Sequence, residues 1–93
     1  MINSTTNATV AAVNSSASAV TLLAADPNRA GYSLYNASSA VLYLIHGEQT
    51  PTTALYTIAI AASGYYECPF NYVGKVQGIW ASANGQANVT VYR

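Results

Sequence analysis

From Ala19 to Arg93 the chain alternates short runs of β-branched, aromatic and aliphatic residues with clusters of Pro, Gly, Asn, Asp and Ser. Runs of this length, bounded by turn residues, predict the strands of an all-β sandwich or barrel, and no stretch carries helical periodicity. AVTLLAA (19–25) predicts the first strand of the compact domain. Asp26-Pro27-Asn28-Arg29-Ala30-Gly31 predicts a turn, because Pro sets its own φ, Asp and Asn bond the local backbone, and Gly accepts positive φ. YSLYNA (32–37) follows as a strand, the Ser-rich stretch after it turns the chain, and AVLYLIH (40–46) is expected to return beside it as a hairpin. That last run is apolar through Val41, Tyr43 and Ile45 on one side and through Leu42 and Leu44 on the other. It is therefore expected to be covered on both faces.

After the polar loop GEQTPTT (47–53), ALYTIAIA (54–61) sets Tyr56, Ile58 and Ile60 on one face and Leu55, Thr57 and Ala59 on the other. YYECPF (65–70) predicts a short strand whose Pro69 cannot donate to a ladder, which assigns it to an edge or a bend. VQGIWASA (76–83) and QANVTVYR (86–93) flank Asn84-Gly85, the dipeptide of a type I′ hairpin turn. Residues 1–18 differ: they are rich in Asn, Ser, Thr and Ala, and apart from Ile2, Val10 and Val13 carry little bulk. Such a segment buries too little apolar area to offset its own ordering entropy. It predicts either an extended N-terminal arm laid on a neighbouring subunit or an extra edge strand around Ala8 to Val13 on its own domain. The resulting fold class is all-β: a small antiparallel β-sandwich or jelly-roll-like domain of about seven or eight strands over residues 19–93, with an extended arm over 1–18.

Composition changes this picture in one respect. The chain is 52% hydrophobic but only 6% charged, against roughly 25% charged in an ordinary soluble domain. Three cations (Arg29, Lys75, Arg93) balance three carboxylates (Asp26, Glu48, Glu67), whereas a free monomer normally keeps a charged, patch-free surface. Much of this surface must therefore be covered by neutral Ser, Thr, Asn and Ala or by other protein chains, and a subunit of a large assembly is expected. Three separated cations make no phosphate-binding patch, so nucleic acid is not an expected partner. No apolar run is long enough to span a bilayer as a helix, and the N-terminus lacks the pattern of a secretory signal. Cys68 is the only cysteine, and it reads as a small packed hydrophobe.

Candidate chemistry is sparse. His46 and Glu48 flank Gly47 without a second base or ligand in sequence, whereas metal and nucleophilic sites need further convergent groups. No catalytic, cofactor-binding or metal-ligating residue is assigned, and no enzyme activity is expected. Asp26 and Arg29 are read as fixing their turn, Arg29 through its planar fork of donors. Glu67 and Lys75 stand on either side of a predicted loop, and a pair between them would fix the loop rather than do chemistry. The richest stretch is Gly64 to Ala81, which holds the only Trp, Phe and Cys together with Tyr65, Tyr66 and Tyr72. Aromatic area concentrated in this way builds a core or meets a partner. Ile79 or Trp80 is expected to anchor the core. Tyr65, Tyr66 and Tyr72, together with Val10 and Val13 of the arm, are expected to face a neighbouring chain. The other reading of the same rings, with Phe70 and Trp80, is a platform for sugar rings.

The runs VTLLAADPNRAGYSLYNASSAVLYLIHG and YYECPFNYVGKVQGIWASANGQANVTVY resemble the small β-sandwich virion proteins of tailed bacteriophages. The shared features are an Asn-Pro-Asn-Arg-like turn, a strand ending in Tyr-Asn, a Tyr-Tyr-Glu-X-Pro segment and a Gly-Ile-Trp-Ala-Ser-Ala strand. Asp26 stands where Asn is more usual, and the resemblance covers about residues 20–92 without the arm. It implies a structural role in the virion. The expectation is a capsid decoration or cement protein on the outer capsid surface, bridging major capsid protein subunits and associating with copies of itself. A trimer is expected first, since symmetric closure covers exposed sheet edges. The alternatives are a carbohydrate- or receptor-binding module of a head or tail fibre, and a tail or neck component.

Overall fold

The computed structural model describes residues 6–93, so residues 1–5 of the expected arm, Ile2 among them, lie outside the described residues. Eight strands follow one another: β1 (Ala8–Asn14), β2 (Val20–Leu23), β3 (Gly31–Ala37), β4 (Leu42–His46), β5 (Ile58–Ile60), β6 (Tyr65–Glu67), β7 (Val76–Trp80) and β8 (Gln86–Tyr92). They form two four-stranded sheets of order β1-β8-β3-β6 and β2-β7-β4-β5, and every pairing is antiparallel. Consecutive strands change sheet at every connection except β4 to β5. Eight antiparallel strands divided between two sheets in this alternating way make a jelly roll.

The core lies between the sheets. Tyr32, Leu34, Ala87 and Val89 come down from one wall, and Leu22, Leu42, Leu44, Ile60, Val76 and Trp80 rise from the other. Gly78 lies between Leu22 and Leu42; a Cβ there would come within 2.9 Å of a Cδ1 of each, so the missing side chain is what lets them pack over β7. Strand β4 is covered on both faces. Leu42 and Leu44 enter the core, while on the outer side Ile45 is buried and Tyr43 packs on Tyr56 with ring centroids 4.9 Å apart. Gln77, the register partner of Ile45, donates to the carbonyls of Gly47 at 3.1 Å and Gln49 at 2.8 Å, which ties the 47–57 connection across this end of the sheet.

Several sequence expectations are corrected here. β3 and β4 are not a hairpin: they stand in opposite sheets. Asn36 holds the crossing: its buried amide donates to the carbonyls of Ala40, Ile60 and Ala61, which belong with the opposite wall. Nor does Asn84-Gly85 close a hairpin. Gly85 takes positive φ (85°), but Asn84 is not among the positive-φ residues, so the type I′ geometry is not formed. Trp80 must face the core from one sheet and Ala87 from the other, and a tight hairpin would put both on the same wall. The strand expected over 54–61 shrinks to Ile58–Ile60, because Thr52 Oγ1 accepts from the Ala54 and Leu55 amides and curls the chain before it. Tyr56 consequently leaves the Ile58 and Ile60 face. Residues 8–14 are an edge strand of this chain's own sheet, in continuous register with β8 from Ala8↔Tyr92 to Asn14↔Gln86. Of the two placements open for the N-terminal segment, this is the second.

Candidate interaction surface

Strand alternation divides the β1-β8-β3-β6 sheet into an inner and an outer set. Val13, Ala87, Val89, Leu34 and Tyr66 point inward. The outer set is therefore Ala8, Val10, Ala12 and Asn14 on β1, Gln86, Asn88, Thr90 and Tyr92 on β8, Ser33, Tyr35 and Ala37 on β3, and Tyr65 and Glu67 on β6. Glu67 is the only formally charged side chain among them. Tyr35 and Tyr65 are direct cross-strand partners, exposed by 41% and 60%, and Val10 on the far strand is 64% exposed. Between them the polar groups bond one another: Ser33 Oγ and Tyr92 Oη lie 3.0 Å apart, and Gln86 donates its amide to Asn88 Oδ1 at 2.8 Å. The face is amphipathic and uncharged apart from Glu67, with hydroxyl and amide groups already oriented by their neighbours.

One end of the sandwich is closed by a second cluster, which is internal. Arg29 is buried to 2% exposure and donates to the carbonyls of Ala24 (3.1 Å), Tyr72 (3.0 and 3.2 Å) and Gly74 (2.6 Å). No carboxylate among the described residues lies within ion-pair distance of it; its charge is met by carbonyl dipoles and by the Tyr32 ring, 5.8 Å from the guanidinium carbon. The Tyr32 hydroxyl bonds His46 Nε2 at 2.5 Å, and the imidazole lies flat on Tyr72 with centroids 4.5 Å apart. Burial, with a smaller contribution from the Arg29 charge, holds His46 below its ordinary pKa. Burial is also the main cause that raises the Tyr32 and Tyr66 hydroxyls. Cys68 is buried with its thiol on the Phe70 carbonyl at 3.2 Å. Among the described residues no three of His, Cys, Asp and Glu come together.

The structure separates the residues singled out from the sequence. Trp80 is in the core, as its anchoring role requires, and Ile79 is half-buried. Val10 and Tyr65 stand exposed on the outer face. Val13 and Tyr66 instead pack against the core, and Tyr72 stacks on His46 and donates its hydroxyl to Lys75 O at 3.0 Å. All three are half-buried on the inner side because their parity or loop position turns them there, so of the residues expected at the seam only Val10 and Tyr65 stand on the outer face. Asp26 and Arg29 both hold their turn. Asp26 Oδ1 accepts from the Asn28 amide at 3.0 Å and its other oxygen accepts from Arg93 Nε at 3.0 Å, which keeps the carboxyl below its ordinary pKa. Arg29 pins the turn to the 72–74 loop of its own domain. Lys75 lies 3.8 Å from Glu48 rather than pairing with Glu67, in an exposed contact. Sequence reasoning missed Tyr35, whose place on the outer face beside Tyr65 was signalled by the alternation of YSLYNA but not its pairing. It also misses Asn36, which in the sequence is only a residue near the end of the YSLYNA strand. Comparison with protein-family models, with curated proteins and with solved structures finds no match to this chain.

Proposed function

We propose that this chain is a structural protein of a tailed-bacteriophage virion, a decoration or cement subunit that lies on the outer capsid surface and bridges major capsid protein subunits. The observation that carries this reading is the outer face of the β1-β8-β3-β6 sheet, with Val10, Tyr35 and Tyr65 exposed among neutral hydroxyl and amide groups. A face of this kind suits a protein partner held by apolar contact and hydrogen bonds. Each Å² of apolar area removed from water contributes about 25 cal/mol before association costs, and no charge has to be desolvated over most of the surface. The resemblance of the two long runs to phage virion proteins supports the same reading, as does the sparse charge of the chain. Jelly rolls also occur in lectin and cupin domains, so the fold by itself does not choose among them.

The test is binding of the purified protein to capsid shells assembled without it, followed by reconstruction of the decorated particles. We expect copies at regular positions over the shell. Replacing Tyr35 and Tyr65 together by Ser should lower occupancy at least about tenfold while leaving the thermal melt nearly unchanged, the outcome for exposed aromatic anchors of an interface. Copies confined to the neck, tail or fibres, or no binding at all, would overturn the capsid reading. Deleting residues 1–16 is unsuited to this test, because it removes strand β1 along with any contact the segment makes.

A second reading is favoured by one feature of the same face. Tyr35 and Tyr65 sit side by side with Asn88 paired to Tyr35, which offers aromatic surface and an amide for a sugar ring. In this reading the chain is a glycan- or receptor-binding module, and glycan-array binding lost in Tyr65→Ala would support it over the capsid role.

A further inference from the structure

The two sheets have four edges, and three of them are blunted. β5 and β6 are three residues long, and β6 runs into Pro69 two residues beyond its end. β2 has four residues and a register shift between Thr21 and Leu23. Short strands, bulges and proline are the devices by which sheet edges are kept from pairing with other chains. β1 has none of them: ATVAAVN is seven residues long, has no Pro, Gly or charge, and keeps unbroken register with β8.

The hydrogen-bond phase identifies the open groups. Asn7 and Arg93 exchange both backbone bonds (3.0 and 3.4 Å), and the Ser15 amide donates to Gly85 O at 3.0 Å. Odd-numbered residues of this strand therefore face β8. By the alternation of an antiparallel ladder, Ala8, Val10, Ala12 and Asn14 turn their N–H and C=O groups outward.

We infer that β1 is a homodimerisation edge, on which a second copy of this chain pairs β1 against β1 antiparallel about a twofold axis through Ala11. The occupant follows from the strand itself. Centred on Ala11, the pairing sets Ala8 opposite Asn14 and Val10 opposite Ala12 of the other copy, so every outward N–H and C=O meets a symmetry-related partner. The same register places Thr9 opposite Val13 on the inner face, and Val10 over a small Ala on the outer one, so bulk meets space on both. A twofold contact opposes each edge residue with residues of the same edge, which a strand carrying Lys or Glu tolerates poorly; β1 carries neither. An isologous contact of this kind closes after two copies and joins the two β1-β8-β3-β6 sheets into one. The trimer expected from sequence answers the need to cover exposed edges, and with one open edge among the described residues a pair answers it directly. This inference does not depend on the virion reading: the dimer is sought with the isolated chain, and capsid binding plays no part in it.

The experiment is light scattering and sedimentation on the full chain over a micromolar-to-millimolar concentration series. A dimer is expected. Ala12→Pro removes an outward N–H while leaving the β8 ladder intact, and Val10→Lys places a charge on the edge. Each should raise the dimer dissociation constant at least about tenfold with the far-ultraviolet circular dichroism of the parent. If Ala12→Pro fails to fold, Val10→Lys still decides the matter. Ala11→Cys in a Cys68→Ser background should cross-link to its own copy on copper-catalysed oxidation, because residues on such an axis face each other as a close, non-hydrogen-bonded pair. A chain that stays monomeric throughout, as it would if β1 were completed by a strand of some other protein, overturns the proposal. So does a dimer whose dissociation constant is unchanged by Val10→Lys.

Discussion

Asn36 is fully buried, and its one amide meets the carbonyls of Ala40, Ile60 and Ala61 while its Oδ1 accepts from the Trp80 indole at 3.1 Å and from the Ser38 hydroxyl at 2.8 Å. A single neutral side chain thus satisfies the largest buried ring and the backbone of two crossings. Asn36→Ala leaves the buried Trp80 indole N–H without its acceptor and takes a donor from the carbonyls of Ala40, Ile60 and Ala61, and we expect it to cost about 2–3 kcal/mol, read as a lowered midpoint in urea with an unchanged slope. His46 gives the second prediction at this scale. Because burial depresses its pKa in the folded chain, the folded state binds fewer protons than the unfolded one between the two values, and stability rises with pH across that window. The contribution is fully present above about pH 6.5 and is lost as pH falls toward the folded value. The melting temperature should therefore drop on acidifying from about pH 7.5 to about pH 5, and His46→Gln should flatten that drop. The chain has one His, so its imidazole resonances report the titration without overlap; a pKa at or above the ordinary value would contradict the argument. Asp26, also held low, sheds its contribution only at more acid pH, below about 3.9. Neither Asn36 nor the Tyr32–His46 contact was legible as such in the sequence, since both join residues distant along the chain.

At the scale of elements, the strands could be read and their partners could not. The alternation of YSLYNA and QANVTVYR and the two-sided apolar pattern of AVLYLIH are set by each run's own side chains and can be read locally. Pairing depends on which wall of the sandwich a strand joins, and the turn dipeptides do not encode it. Gly85 illustrates the difference. Its positive φ was foreseen from Asn84-Gly85, yet the residue serves a connection between sheets in which Asn84 Oδ1 accepts from the Ser39 amide at 2.9 Å and hydroxyl at 2.8 Å. A Cβ on Gly85 would lie 2.4 Å from the Ala37 carbonyl oxygen. Gly85→Ala should therefore destabilise by about 2 kcal/mol or more through strain and displacement of backbone. Gly47→Ala, with φ +117° but no atom within 4 Å of its Cβ, should cost less. Urea titrations of the two variants make the comparison, and equal losses would show that φ alone matters at both sites.

On the scale of the whole molecule, sparse charge and the open β1 edge of the described residues are the two features from which the proposals above are argued. The capsid-binding and dimerisation tests above are posed at this level, since each reads a whole face or edge rather than one contact. What the amino-acid sequence determined by itself was the all-β class, the run of strands, the covering of both faces of β4, and the shortage of charge. These follow from side-chain chemistry and period, which are written along the chain. Only the tertiary structure decided that Trp80 rather than Ile79 anchors the core, that consecutive strands alternate between walls, that residues 8–14 complete the chain's own sheet, that Tyr66 and Tyr72 turn inward, and that Tyr35 joins Tyr65 outside. The physical reason is that a strand of period two has two equivalent faces. Which of them meets the core is set by the strands it pairs with and by buried groups such as Asn36, whose partners lie far away in sequence.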